Sequence, residues 1–376
     1  MTMFEPTKIL ITGASGFIGS FLCEEALRRQ MSVWAGVRST SSRKWLQNEW
    51  LQFQTLDMAN RDVLHSQLAH FKENHGKWDI VIHAAGATKC LNPEDFDTNN
   101  YDCTVNLVEE LKELNMIPKM FVYMSSLSVL GPIKEEKKVQ RAAAGEGEEE
   151  AVQVQTAMVD GRPSIYEPMR SNDEPQPNTA YANSKCKSEN YLKCLGYEFP
   201  YVIFRPTGVY GPRERDYFLQ FKSIKNHVDF AVGFKPQELT FVYVDDLVGA
   251  IFAAVDKVMN EGIDAINHKI YHVSDGKAYT SRQFSDLIQR ELGANHVVHI
   301  KAPLFFLKMV CGISEWFAGL MGKVSTLNSD KYKIMSQRNW NCDIEPMVTD
   351  LGYLPQWDLE RGVKETAAWY KSHGWL

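Results

Sequence analysis

The chain reads as an α/β protein built on a doubly wound parallel sheet, and three features of the sequence predict this. Short apolar runs alternate with helical stretches, the runs are continuous in apolar character, and a glycine-rich turn joins the first run to the first helix. A strand with apolar side chains on both faces must be covered on both, which calls for a parallel sheet between layers of helices.

Lys8 to Thr12 forms the first run, and Gly13-Ala-Ser-Gly16-Phe-Ile-Gly19 follows it directly, before a helix through Phe21, Leu22 and Ala26. Glycines let the backbone turn tightly and approach a pyrophosphate, whose charge meets the free amides of the helix start. This strand, turn and helix context points to a dinucleotide site of the Rossmann kind, a purely structural glycine turn being the alternative. The second strand, Ser32 to Ala35, leads to Val37-Arg38-Ser39, where the adenosine ribose is read. No Asp or Glu occurs between Val33 and Asn48, whereas Arg38, Arg43 and Lys44 do. An unmodified 2′-hydroxyl calls for a carboxylate there and a 2′-phosphate for a guanidinium. The expected cofactor is therefore NADP(H), with NAD(H) second and plain surface cations as the bland alternative.

Ile80 to Ile82, Met120 to Tyr123, Val202 to Phe204 and Tyr271 to Val273 supply further strands. The stretch 134–178 breaks the rhythm, is rich in Ala, Gly and Glu around Ala142 to Glu150, and is expected to be a long mobile insertion, a solvated loop or a lid. Residues 6–205 with about 238–275 form the expected nucleotide-binding domain, and 206–237 with 276–376 a smaller, mostly helical substrate-binding domain. Within the latter, 303–321 is unusually apolar, with Lys308 and Glu315 sharing one helical face. It suits a buried helix, the wall of a greasy substrate pocket or a peripheral membrane contact better than a membrane span.

The bulk numbers exclude other classes. With 41 basic and 47 acidic residues the net charge is -6, which offers no broad basic surface for nucleic acid. Seven cysteines are scattered without metal-ligand spacing and read as free thiols of a reducing compartment, so no metal is expected. Since Lys8 to Thr12 begins a strand where a secretory leader would lie, the expected location is cytoplasmic, with membrane-surface association through 303–321.

Chemistry gathers around Tyr181-Ala-Asn-Ser-Lys185, whose spacing puts the phenol and the ammonium on one helical face. A tyrosine working as acid or base near neutral pH gains from an adjacent cation that stabilises its phenolate. Met124-Ser125-Ser126-Leu127-Ser128-Val129-Leu130-Gly131 ends a strand just upstream and supplies Ser126 as a hydroxyl donor.

With these elements in order, the chain resembles the extended short-chain dehydrogenase/reductase superfamily, the NAD-dependent epimerase/dehydratase family. The matches are Gly13 to Gly19, Asp57, His83-Ala-Ala-Gly86, Asn100 with Thr104, Ser126, Tyr181 with Lys185, Arg205-Pro-Thr-Gly-Val-Tyr-Gly-Pro212 and Val242-Tyr-Val-Asp-Asp246. The resemblance implies that Tyr181 is the acid/base, that Lys185 holds the nicotinamide ribose and tunes Tyr181, that Ser126 bonds the reacting oxygen, and that Asn100 supports a proton relay. It further implies a cofactor site lined by Gly13, Ser15, Gly16, Phe17, Ile18, Gly19, Arg38, Arg43, Asp57, Met58, Ala84, Ala85, Gly86, Tyr181, Lys185 and Pro206. His83 reads as a core residue. A homodimer joined through helices near 101–115 and 180–195 is implied as well.

Departures from the family pattern narrow the substrate. Sugar-nucleotide 4,6-dehydratases resembling this chain carry an Asp-Glu pair where Leu127 and Ser128 stand, and many epimerases carry an Asn where Gly208 stands. The Arg-Pro-Thr-Gly-Val-Tyr-Gly-Pro form and the tail, with Trp340-Asn-Cys-Asp343, Leu351-Gly-Tyr-Leu-Pro355 and Trp369-Tyr370, are similar to the 3β-hydroxysteroid dehydrogenase and dihydroflavonol reductase branches. They imply a ketone or secondary alcohol on a hydrophobic molecule such as a sterol, a flavonoid or 3-ketosphinganine. A nucleotide-sugar epimerase or reductase is the second enzymatic reading. A cofactor-sensing or scaffold protein without turnover is the non-enzymatic one, and intact Ser126, Tyr181 and Lys185 speak against it.

Overall fold

The structure, a computed structural model, describes residues 5–136, 158–159, 162–321, 325 and 328–376. The Ala142 to Glu150 stretch of the expected insertion lies outside the described residues. Seven strands make one sheet: β1 Lys8–Thr12, β2 Ser32–Val37, β3 Gln52–Thr55, β4 Ile80–His83, β5 Met120–Met124, β6 Tyr201–Pro206 and β7 Ile270–Val273. Their order is β7-β6-β5-β4-β1-β2-β3, and every neighbouring pair is parallel. This is the Rossmann arrangement expected from the continuous apolar runs. Because the chain leaves β1 toward β2 on one side and returns to β4 on the other, the crevice above the strand ends opens between β1 and β4.

Alternate side chains of each strand feed two cores. Ile9, Ile11, Ile80 and Ile82 pack with Leu22 and Ala26 of α1 (Phe17–Arg28) and with Leu247 and Ile251 of the helix Val244–Glu261. Leu10, Val81 and Phe121 point the other way, to Leu64 and Phe71 of α2 (Arg61–His75) and Leu107 and Leu111 of α3 (Cys103–Glu113). Each such aliphatic burial contributes about 1.5–3 kcal/mol. The catalytic candidate helix, α4 (Ala180–Cys194), joins the second core through Leu192.

Met347, Leu359, Val363 and Tyr370 of the tail belong to the first core, so the tail helices pack on the same side as α1. Asp246 of the Val-Asp-Asp motif fastens them: its carboxylate accepts from the Tyr353 hydroxyl and from the Gln356 and Trp357 amides, all at 2.8 Å. On the far side of the site, Glu238 accepts from the Ser164 hydroxyl at 2.6 Å and the Ile165 amide at 2.7 Å. The Asn339 amide donates to the carbonyls of Lys134 at 3.0 Å and Glu167 at 2.9 Å, tying both flanks of the insertion to the tail. All seven cysteines are free thiols. Among the described residues, no helix is long and apolar enough to cross a membrane.

Candidate active site

The turn after β1 is built from close backbone approaches. Gly13 has φ +67°, and a Cβ on it would lie 2.7 Å from the Ala85 backbone; one on Gly19 would lie 2.2 Å from the Gly13 carbonyl oxygen. Side chains at either position would push the α1 start away from the strand ends. Gly16 caps α1 without any side-chain hydrogen bond, and no acidic residue stands in the first turn, so the dipole and first amides of Phe17, Ile18 and Gly19 remain available to an anion. Residues Ser15 and Gly16 reach the surface beside them. This uncapped, unoccluded helix start fits the pyrophosphate of a dinucleotide.

At the adenosine end, Arg38 is exposed just past β2, its amide donating to the Ser41 hydroxyl at 3.0 Å. The Arg43 guanidinium lies over the Phe53 ring, 4.1 Å from its centroid. Asp57 is exposed past β3, while the Met58 carbonyl accepts from the Asn106 amide at 2.9 Å. Past β4, the Ala85 amide donates to the Thr12 hydroxyl at 3.2 Å. His83 bridges Thr12 at 2.8 Å and Thr104 at 3.0 Å. Burial, helped by the charge of Lys185, pushes the His83 imidazole down to about 3. It is a neutral core residue that joins β1, β4 and α3, as its sequence context implies.

Opposite this edge, Thr179 caps α4 by accepting from the Ala182 amide at 3.1 Å, and the following turn presents Tyr181 and Lys185 together. Tyr181 lies close enough to Ser126 for that hydroxyl to ease its ionisation, and the Ser126 hydroxyl accepts from the Ser128 hydroxyl at 2.9 Å. The Lys185 ammonium donates to the Met124 carbonyl at 2.7 Å and lies 4.9 Å from the Tyr123 ring centroid. A Cβ on Gly86 would come 3.0 Å from both Lys185 Nζ and Asn100 Oδ1, so a larger residue there would press on both side chains.

Asn100 sits in a widened, π-helical turn, Asp97–Asp102, a feature frequent at functional sites. It exchanges hydrogen bonds with the Ala87 backbone at 2.7 and 3.1 Å and donates to the Ser184 hydroxyl at 2.9 Å. Ser126, Tyr181, Lys185, Asn100 and Gly86 thus converge, and Pro206 lies in β6 on the same sheet, paired in register with Val273.

One electrostatic expectation does not hold. Burial pushes the Tyr181 phenol up to about 12, eased in part by the nearby Ser126 hydroxyl, and Lys185 contributes no lowering. The Lys185 ammonium itself is driven down to about 8 by burial, partly offset by Glu189. The Lys185 ammonium is directed to the Met124 carbonyl and is almost wholly buried, while Tyr181 is half-buried beside it.

Behind the site lies a network that sequence reading missed. Glu189 is fully buried; its carboxylate takes both Arg205 guanidinium arms at 2.9 and 2.6 Å and the Ser125 hydroxyl at 2.5 Å. Burial works against its ionisation, but Arg205 outweighs this and holds the carboxyl below its usual range. The signal was present in that Glu189 stands four residues after Lys185, on the same helical face. A second unforeseen feature is Tyr217, whose hydroxyl lies 2.0 Å from where a Cβ on Gly208 would be.

The NAD dependent epimerase/dehydratase family pattern matches residues 9–267. The chain belongs to this family. Its members are NAD-dependent enzymes of the extended short-chain dehydrogenase type. The family member described here is 24% identical to a putative UDP-glucose 4-epimerase of Methanocaldococcus jannaschii, over 97% of this chain and 99% of that one. It is 21% identical to the decarboxylating sterol-4-alpha-carboxylate 3-dehydrogenase of Saccharomyces cerevisiae, over 79% and 78% of the two chains. Its fold matches that of dTDP-glucose 4,6-dehydratase from Bacillus anthracis, solved in complex with NAD, with TM-score 0.67 and 17% identity over 97% of each chain.

Proposed function

We propose that this enzyme transfers hydride between NADP(H) and a ketone or secondary alcohol carried on a hydrophobic, lipid-like molecule. The carrying observation is the Tyr181 phenol close to the Ser126 hydroxyl, beside buried Lys185 and the bare Gly86 backbone. When bound, the nicotinamide supplies or accepts the hydride. The chain's own residues do the rest. In this reading Ser126 and Tyr181 both bond the substrate oxygen, polarising its carbonyl. In the reducing direction Tyr181 passes its proton to that oxygen, completing the alcohol; the oxidation runs the same steps backward. A phenol held up at about 12 stays protonated throughout the neutral range, so the reducing direction starts with the proton already on Tyr181. Lys185 would hold positive charge near the ribose edge, and Asn100, bonded to the Ala87 backbone and to Ser184, keeps α4 fixed to the segment after β4.

Arg38, exposed and without a neighbouring carboxylate in 33–48, supports a 2′-phosphate and hence NADP(H) over NAD(H). The segments 206–237 and 276–376 form the substrate-binding part in this reading, and the protein works as a homodimer in the cytoplasm or at a membrane surface. A nucleotide-sugar epimerase is the second reading, favoured by the end-to-end similarity to a putative UDP-glucose 4-epimerase. Against it, the place where many epimerases carry an Asn has no room for any side chain, because the Tyr217 hydroxyl occupies it.

The deciding experiment follows cofactor oxidation with sterol ketones, a flavonoid ketone and 3-ketosphinganine, and epimerisation with UDP- and dTDP-sugars. Turnover of a hydrophobic ketone with tighter binding of NADPH than NADH is the expected result. Sugar epimerisation with none of the ketones reduced overturns it.

A further inference from the structure

Two adjoining segments of the molecule leave large apolar side chains exposed to water. The parallel ribbon formed by Val228–Val232 and Val298–Ala302 pairs Phe230 with Ile300 on its outer face, 60% and 41% exposed. Its inner face carries the polar residues: Asp229 is buried, bonded to His299 at 2.9 Å and to the Ser285 hydroxyl at 2.8 Å. The ribbon runs through Pro303 straight into the helix Leu304–Leu320, and the Gly233 amide donates to the Ala302 carbonyl at 2.8 Å at the junction. On that helix Leu307, Cys311 and Ala318 are buried, while Phe305, Phe306, Met309 and Ile313 stand 74%, 46%, 50% and 51% exposed along the opposite side. A ribbon and an adjoining helix that both turn large apolar side chains outward leave an apolar surface of a kind water-soluble monomers do not keep without use.

Its exposed charges are mostly positive: Lys235, Lys301 and Lys308 are exposed and no Asp or Glu occurs between 230 and 237 or between 298 and 314, while Glu315 on the same helix accepts from the Ser329 amide at 3.2 Å and hydroxyl at 2.5 Å. Lys301 lies 5.9 Å from the exposed Phe234 ring. We infer that this surface docks the enzyme on the headgroup region of an anionic phospholipid bilayer, with Phe305, Phe306, Met309 and Phe230 entering the acyl boundary and the three lysines meeting the lipid phosphates. A second copy of the chain is a poor occupant, because it would set the same cations against each other. Crossing the bilayer is excluded by length, since the 17-residue helix spans about 26 Å against about 30 Å of hydrocarbon, with one side packed on protein. This inference stands on the surface alone and goes beyond the redox reading.

Co-sedimentation of the full chain with phosphatidylcholine vesicles, with and without phosphatidylserine, tests it. The wild type should bind the serine-lipid vesicles and lose that binding as salt is raised. The double substitution Phe305→Ser and Phe306→Ser should weaken partition by about a hundredfold, roughly tenfold per aromatic group. Lys301→Glu with Lys308→Glu should weaken it about fivefold or more per residue, only where phosphatidylserine is present. Because all four side chains are exposed, thermal midpoint and NADPH affinity should not move, which separates a failure here from a failure of the redox reading. Equal partition of wild type and variants overturns the inference. So does a concentration-dependent dimer that the same substitutions abolish while vesicles remain unbound.

Discussion

Lys185→Met makes the electrostatics of the site measurable as stability. In the folded chain the Lys185 ammonium is nearly inaccessible and its proton affinity falls from the ordinary 10.5 to about 8, burial being the larger cause and Glu189 a partial offset. At about 1.4 kcal/mol for each tenfold change in proton affinity, holding that charge inside costs the fold about 3 kcal/mol. The sign follows from linkage. At pH 7 Lys185 is charged in both the folded and unfolded chain, and the full penalty applies. Between pH 8 and 10.5 the unfolded chain binds the extra proton, so wild-type stability rises through that window, and above 10.5 the penalty is gone. Methionine carries no charge at any pH and fills similar space. Urea unfolding of both proteins from pH 7 to about 9.5 should therefore show the advantage of the variant over wild type shrinking by about 2 kcal/mol. Loss of the bond to the Met124 carbonyl adds a constant that does not depend on pH. A difference between the two proteins that stays flat across the window would refute a buried ammonium at this position. The same variant should lose most of its turnover, since a neutral side chain cannot serve the ribose edge.

The other expected outcomes concern neighbouring parts of the site. Tyr181→Phe should lower kcat by about two to four orders of magnitude with unchanged affinity for NADPH, read by steady-state kinetics and fluorescence titration. Glu189→Gln leaves the Arg205 guanidinium buried without a counter-charge and should cost about 3–5 kcal/mol in urea unfolding at pH 7. Because the Glu189 carboxyl is held below its ordinary 4.5, its share of stability is present above that pH and fades as pH falls further; the variant should lack this acid-dependent loss. Gly208→Asn should be destabilising by about 1–3 kcal/mol through collision with the Tyr217 hydroxyl, and in a Tyr217→Ala background, which carries its own packing loss, the same change should cost little. An equal cost of Gly208→Asn with and without the Tyr217 side chain would show that Tyr217 does not fill that space.

Much of this molecule is written locally. β1, β4, β5 and β6 are legible as continuous apolar runs because strands buried on both faces need no polar positions, and the glycine turn and the Tyr181–Lys185 pair follow from spacing along one strand, turn or helix. β3 escaped as a run because Gln52–Thr55 is an edge strand with both ends exposed, where burial imposes no apolar pattern. What spacing cannot carry is the identity of atoms brought in from elsewhere. Glu189 meets Ser125 across 64 residues, and Tyr217 closes the space over Gly208. The proton affinity of Tyr181 is set by the dryness around it, which overrides the effect expected from a cation one turn away. The apolar segment 304–320 reads equally well as a core helix or a surface one; only its packing on Leu307, Cys311 and Ala318 turns Phe305 and Phe306 toward solvent. Periodicity fixes which residues share a face, because that depends on backbone geometry alone. Which face is dry, charged or exposed depends on non-local neighbours, and those exist only once the chain has folded.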